Sequence, residues 1–378
     1  MVKGFDIMNN TVVILVAGDL LCYPHMTEST NGDLSLCFCK IKDELKNCDF
    51  LIGNLETPVA GEELGYTKER YRFNSPESYL KALKECGFDL LTLANNHCMD
   101  RDEIGMVNTL NNCKRYGIDT IGVYKSPDDT EKVYVRNING IKVSFVNYTY
   151  GTNAFSHKVY MKNPWHVKLT QPEELLEGSI HLLQPPEKIA DDVQRIYRDK
   201  SNEYEIVLPY LENMKKDIEK AKAESDFVVM LLHSGGQYNE FPEEYTKMLT
   251  EKIRDYGADI ILANHPHIIQ STEYSDGFIT VYSYGNFIFS PSSSDVHEID
   301  STYSALIGLC LDKNADGKVS VKMKFSICKV IDDNGIPKVV NGYDFANENP
   351  DYKEEVIAFA NRFAGEKRYD TLEKEYYL

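Results

Sequence analysis

No two of the nine cysteines form a C-x-x-C pair. Cys22, Cys37, Cys39, Cys48, Cys86, Cys98, Cys113, Cys310 and Cys328 are odd in number and scattered among apolar neighbours, which argues against a disulfide framework and for reduced thiols. Long apolar runs are lacking too. The first apolar stretch, Val12 to Ala17, has the length of a strand, is too short to span a bilayer and follows no basic segment. The expectation is a soluble, unexported, cytoplasmic protein without membrane insertion. Basic residues are in deficit: 41 Lys plus Arg stand against 59 Asp plus Glu, a net charge of −18 at pH 7. Such a surface repels phosphate backbones and anionic lipid, so nucleic acid is not an expected partner. A small anionic substrate stays compatible, because one bound metal ion reverses the field inside a pocket. Linkers and low-complexity stretches are absent as well. Residues 1–378, with 42% hydrophobic and 26% charged residues, therefore read as one domain with a sizeable core.

What is present is a repeated grammar of amphipathic helix, break, acidic residue and apolar strand. In PESYLKALKECGFDLLTLANNH, Pro76 is placed to open a helix, Leu80 and Leu83 line one face, and Gly87 closes it. The form returns with breaks at Gly117 and Gly257, and with a polar break in KKDIEKAKAESDFVVMLLH. Continuous Ile, Val and Leu strands alternating with helices predict a sheet covered by helices on both faces. Residues from about 153 to 226 are less regular and include an expected helix in DDVQRIYRDKSNEYEIV. Residues 291–378 hold three strand-like runs, TYSALIGLCL, KVSVKMKFSICKVI and IPKVV, and a final helix in YKEEVIAFANRFAG. This β-rich portion is expected to complete a second sheet.

The apolar runs share an ending. TVVILVAGD stops at Asp19, CDFLIGNLE at Asn54 and Glu56, FDLLTLANNH at Asn95, Asn96 and His97, DFVVMLLH at His233, and ADIILANHPH at Asn264, His265 and His267. Ligands of open α/β sheets bind beyond the carboxyl ends of strands, so five strands deliver carboxylate, amide and imidazole groups to one rim. Tyr282 and Asn286 follow another strand and are candidate pocket residues. Each signal has a plainer reading: Asp19 in a turn, Asn95 and Asn96 capping the next helix, His233 satisfied in the core. Their coincidence at equivalent strand positions favours a site. Oxygen and nitrogen donors without cysteine suit Mn, Fe or Zn, one or two ions, with open coordination positions.

These motifs resemble the bacterial CapA family of poly-γ-glutamate capsule synthesis proteins, within the calcineurin-like metallophosphatase superfamily. The resemblance runs from Val12 to about Phe289 through GDLLCYP, GNLETPV, LANNHCMDRDEIG, NYTYGTN, LLHSGGQYNEFPEEY, GADIILANHPHIIQSTEY and YSYGNFIF. It implies a four-layer α/β/β/α sandwich of two packed mixed sheets flanked by helices. It also implies that Asp19, Glu56, Asn96, His233, His265 and His267 are metal ligands, with Glu56 preferred over Asn54 for the bridging place because only a carboxylate supplies the charge. His97 then resembles the histidine that protonates a leaving group. The implied function is hydrolysis of a phosphate ester or related anionic bond linked to capsule synthesis, with capsule-synthesis proteins as partners. The other implied function is non-catalytic binding in polyglutamate synthesis or export.

The sequence departs from the family pattern in three places. Leu21 stands where D-x-H has histidine, HSGGQY replaces H-W-G-x-E-Y, and ANHPH replaces G-H-H-P-H. Two other motifs are set aside. DKNADGKVSVKM imitates an EF-hand loop from Asp312 but has Met323 where the bidentate glutamate belongs, so it reads as a hairpin turn. Ser283 lacks the G-x-S-x-G context of a nucleophile elbow.

Overall fold

The computed structural model describes residues 11–68, 72–173, 202–291 and 299–378. Its N-terminal strands are β1 (Val12–Leu20), β2 (Phe50–Leu55), β3 (Leu90–Thr92) and β4 (Asp119–Ile121), which run parallel to one another. Helix α1 (Ser78–Cys86) ends where Gly87 takes a left-handed φ of 100° and its N–H reaches the Leu83 and Lys84 carbonyls. Helix α2 (Asp102–Arg115) precedes β4. A second group follows: β5 (Tyr134–Ile138), β6 (Ile141–Thr149), helix α3 (Asn202–Glu224), β7 (Phe227–His233), helix α4 (Glu244–Tyr256), β8 (Ile260–Asn264), β9 (Thr272–Ser275) and β10 (Phe278–Val281). These strands form a six-stranded sheet in the order β5-β6-β7-β8-β10-β9. Of the helix expected over DDVQRIYRDKSNEYEIV, the portion before Asn202 lies outside the described residues; from Asn202 onward the chain is helical.

The last strands are β11 (Asn286–Ile288), β12 (Tyr303–Lys313), β13 (Val319–Asp333), β14 (Ile336–Asn341) and β15 (Tyr376–Tyr377), with helix α5 (Lys353–Ala364) between the last two. Here the expectation for residues 291–378 needs correction. β12, β13 and β14 do not complete the second sheet; they extend the first, in the order β14-β13-β12-β1-β2-β3-β4. β12 lies antiparallel to β1 with Val12 opposite Leu311 and Val16 opposite Ile307. The edge of β1 away from β2 carried unpaired backbone groups, and a long apolar hairpin satisfies them. The EF-hand imitation is the turn of that hairpin, with Asn314 N–H donating to the Lys318 carbonyl at 3.0 Å.

The strands are apolar on both sides because each sheet faces two layers, and only one of them is helical. Val12, Ile14 and Val16 of β1 pack with Val143, Phe145, Val229 and Leu231 of the other sheet. Leu15 and Ala17, pointing the opposite way, join Leu80 and Leu83 of α1 and Met106 and Leu110 of α2. On the far side, Val228, Met230 and Ile261 meet Leu211, Met214 and Ile218 of α3 and Leu249 and Ile253 of α4. Each fully buried aliphatic side chain of this kind contributes roughly 1.5–3 kcal/mol. The result is two packed mixed sheets flanked by helices. Where β12 and β13 continue past the smaller sheet, α5 covers the same inner face, with Phe359 stacked on Tyr303 at 4.1 Å between ring centres and its helix against edge strand β9.

Candidate metal centre

The parallel register brings the strand ends level. Asp19 lies opposite Asn54 in the larger sheet, and Thr149, His233 and Asn264 line up across the smaller one. β11 lies parallel to the last residues of β1, with Asn286 opposite Asp19. This pairing needs a residue without a side chain at 18, since a Cβ on Gly18 would lie 2.1 Å from the Gly285 carbonyl oxygen.

Across the gap between the two rims, donors converge in two groups that share one carboxylate: Asp19, Glu56 and His267, and Glu56, His233 and His265. His267 Nδ1 lies 3.2 Å from Asp19 Oδ2, and its Nε2 lies 3.8 Å from Glu56 Oε1. His233 Nε2 is 3.5 Å from the same Glu56 oxygen and 3.1 Å from His265 Nδ1. His265 and His267 hold positive φ values of 128° and 61°, a backbone conformation that costs about 1–3 kcal/mol and persists where the surroundings enforce it.

Glu56 is the most telling residue. It is 0% exposed, and among the described residues neither carboxylate oxygen has a hydrogen-bond donor. Burial, followed by the nearby charge of Asp19, pushes its pKa well above the usual carboxylate range. Burial acts the same way on Asp19, but the hydrogen bond and charge of His267, the charge of His233 and the Asn54 amide outweigh it and hold that carboxyl below its ordinary value. Ionised carboxylates are buried only when paired or bound to metal. Two oxygens without donors, ringed by imidazoles and a second carboxylate, fit a divalent cation, and the oxygen and nitrogen donor set suits Mn, Fe or Zn.

The other expected residues fall around these groups in distinct ways. Asn54 donates to Asp19 Oδ1 at 2.7 Å and sits 3.3 Å from His233 Nδ1. Its Oδ1 accepts from Thr92 and Asn95. Asn95 is no cap for α2: its amide donates to the Leu55 carbonyl and its oxygen accepts from His97 N–H. Asn96 Oδ1 lies 2.9 Å from His233 Nε2. Asn286 Oδ1 lies 2.9 Å from His267 Nδ1, so Asn286 orients that ring. Asn264 faces elsewhere; its oxygen accepts from Ser283 and from the Tyr284 and Gly285 N–H groups, clamping the loop that leads into β11. Tyr282 needs correction as a pocket residue. Its hydroxyl donates to Glu273 at 2.8 Å, because it continues β10 on the phase that points away from the rim.

Several residues of this site were missed. Asp100, 0% exposed, holds His97 Nδ1 at 2.8 Å, accepts Phe73 N–H at 2.7 Å and lies 3.2 Å from His157 Nδ1. Burial raises its pKa, but the charge and hydrogen bond of His97 and the nearby His157 prevail and lower it. Asn147 stitches the sheets together beneath the site, accepting from Ala94 N–H and donating to the Leu231 carbonyl. Tyr150 lies against the His265 ring at 4.8 Å, and Tyr238 lies 5.9 Å from that of His267. The closeness of His97 and Asp100, which face each other across a single turn before α2, was a readable signal; the others depend on distant parts of the chain.

A family model described as the bacterial capsule synthesis protein PGA_cap matches residues 13–291, which include every donor named above. The chain is 27% identical over 285 residues to the capsule biosynthesis protein CapA of Bacillus anthracis, a match covering 74% of this chain and 60% of that one. It is 28% identical over 301 residues to the PGA biosynthesis protein CapA of Bacillus subtilis (strain 168), covering 78% of this chain and 66% of that one. The match thus spans less than two thirds of the length of either relative. With the model aligned over most of the sequence and the donors inside it, the chain belongs to the bacterial capsule synthesis protein family, PGA_cap.

Proposed function

We propose that this protein is a metal-dependent hydrolase of a phosphate ester or related anionic bond, acting in the synthesis of a poly-γ-glutamate capsule. The observation that carries the reading is Glu56, a buried carboxylate without donors among the described residues, at the meeting point of both groups. Asp19, Glu56 and His267 would hold one cation, and Glu56, His233 and His265, joined by the Asn96 oxygen, a second. A divalent cation there supplies Lewis acidity and a nucleophile at neutral pH. His97 supplies the proton: Asp100 fixes its Nδ1, leaving Nε2 to protonate a departing oxygen, and Asp100 stays ionised to stabilise the imidazolium form. The capsule context rests on the names of the Bacillus relatives. The test is hydrolysis of a panel of phosphomonoesters and phosphodiesters with added Mn. Turnover should disappear with chelator and fall by roughly 100-fold or more in His97→Ala, the usual range for a lost general acid. No cleavage by protein shown to contain Mn would reject the hydrolase reading.

A second reading, a non-catalytic binding component of polyglutamate synthesis or export, draws support from Leu21 and Asn264. Both stand where the superfamily has histidine, and Asn264 is spent on holding a loop. Calorimetry with oligo-γ-glutamate, with and without divalent metal, separates the two: metal-dependent binding without hydrolysis favours the second.

A further inference from the structure

We infer that the short turn Ala154–His157, with Asn153 before it, is a positioning device that sets both members of the Asn96–His97 pair, an inference that rests on the metal-centre reading above. An asparagine can offer a metal only its side-chain oxygen, so which way its amide is turned decides whether it is a ligand. Asn96 Nδ2 donates to Asn153 Oδ1 at 3.2 Å, and this bond turns Asn96 Oδ1 toward His233 Nε2, 2.9 Å away. Four residues later, His157 Nδ1 lies 3.2 Å from Asp100 Oδ1, while the other oxygen of that carboxylate holds His97 Nδ1 at 2.8 Å. One end of the turn thus orients the candidate ligand, and the other flanks the carboxylate that orients the candidate acid.

The backbone of the turn is shaped for this task. Asn153 has φ 56° and Lys158 has φ 55°, so left-handed residues close it at both ends, and the His157 N–H returns to the Asn153 carbonyl at 2.9 Å. Asparagine tolerates that conformation better than most residues and also carries the acceptor that Asn96 needs. Asn153, 7% exposed, sits among buried polar groups where a lost partner is costly. The motif NYTYGTN thereby gains a physical role at both ends, with Asn147 joining the sheets and Asn153 turning the ligand.

The experiment separates acceptor from backbone. Asn153→Gly keeps the left-handed φ and removes the acceptor, whereas Asn153→Asp keeps both. Titrating purified wild type and variants with Mn should show affinity reduced roughly 10- to 100-fold in Asn153→Gly, the usual cost of losing a residue that orients a ligand. Asn153→Asp, which keeps the acceptor, should bind Mn with an affinity close to that of wild type. Equal affinity for Asn153→Gly and wild type, or equal loss in both variants, would overturn the inference. The His157 end is read without metal, from the long-range proton–nitrogen NMR pattern of the His97 ring. His157→Phe should change that pattern, and His157→Gln, which keeps a polar nitrogen beside Asp100, should restore it. An unchanged His97 signal in His157→Phe rejects this half. Should wild type bind no divalent metal, the metal-centre reading falls, and the NMR comparison still decides the positioning claim.

Discussion

At the scale of single residues, Glu56 sets the strongest constraint. Its carboxyl is pushed upward by burial, so its contribution to the stability of the metal-free fold is fully present below the ordinary value of 4.5 and is lost as pH rises toward the folded value. Asp19 and Asp100 run the other way, because their folded pKa values are lowered; their contribution is present above the ordinary value of 3.8 and lost as pH falls through the folded one. Replacing Glu56 by Gln removes the titrating group while keeping its shape. Metal-free Glu56→Gln should therefore melt no lower than wild type at pH 7.5, and its advantage should shrink as the pH approaches 5. The same variant should lose the stabilisation that Mn gives wild type, about 2.7 kcal/mol when metal stands at 100 times its Kd. Thermal scans across pH, with and without Mn, check both signs. A Glu56→Gln protein that melts lower at pH 7.5 and is still stabilised by Mn would show that Glu56 serves packing alone.

Among the elements, the sequence made some features legible and concealed others. The helices ending at Gly87, Gly117 and Gly257 are written in local chemistry, since all three glycines adopt the left-handed conformation that an L side chain avoids. The strand ends are legible for the same reason: each apolar run stops at a polar residue. The sheet that a strand joins is not local information. β12 and β13 carry apolar side chains suited to either sheet, and only the open edge of β1 and the hairpin register decide. The phase of Tyr282 was likewise hidden, because β10 carries Ile279 and Val281 on one side and Phe278 and Thr280 on the other, with no clean alternation of apolar and polar residues. Gly18 tests how tightly these elements are joined. In Gly18→Ala, the new methyl would meet the Gly285 carbonyl at 2.1 Å, so β11 must move. Asn286 moves with it and releases His267. Stability should fall by about 1–3 kcal/mol, the range for overpacking, and Mn affinity should fall with it. A destabilised variant with unchanged Mn affinity would show that β11 does not govern the ring of His267.

For the whole molecule, the site was legible as a set of donors and illegible as a shape. Asp19, Glu56, His233, His265 and His267 could be chosen from the strand ends, but their division into two groups around a shared carboxylate depends on how the two sheets face each other. Asp19 and Glu56 belong to the larger sheet, while His233 and the His265–His267 loop belong to the smaller one. A cation bound between them ties the sheets together at the rim, in addition to the apolar contact that joins them below. Hydrogen exchange should therefore slow on adding Mn at the ends of β1 and β2 and also at the ends of β7 and β8, because an opening that separates the sheets must now release the metal. Acid should abolish the protection on both sides together, since binding needs neutral imidazoles and ionised carboxylates. Protection confined to the histidine-bearing sheet would mean that the metal rests on His233, His265 and His267 alone, and that Glu56 does not bridge.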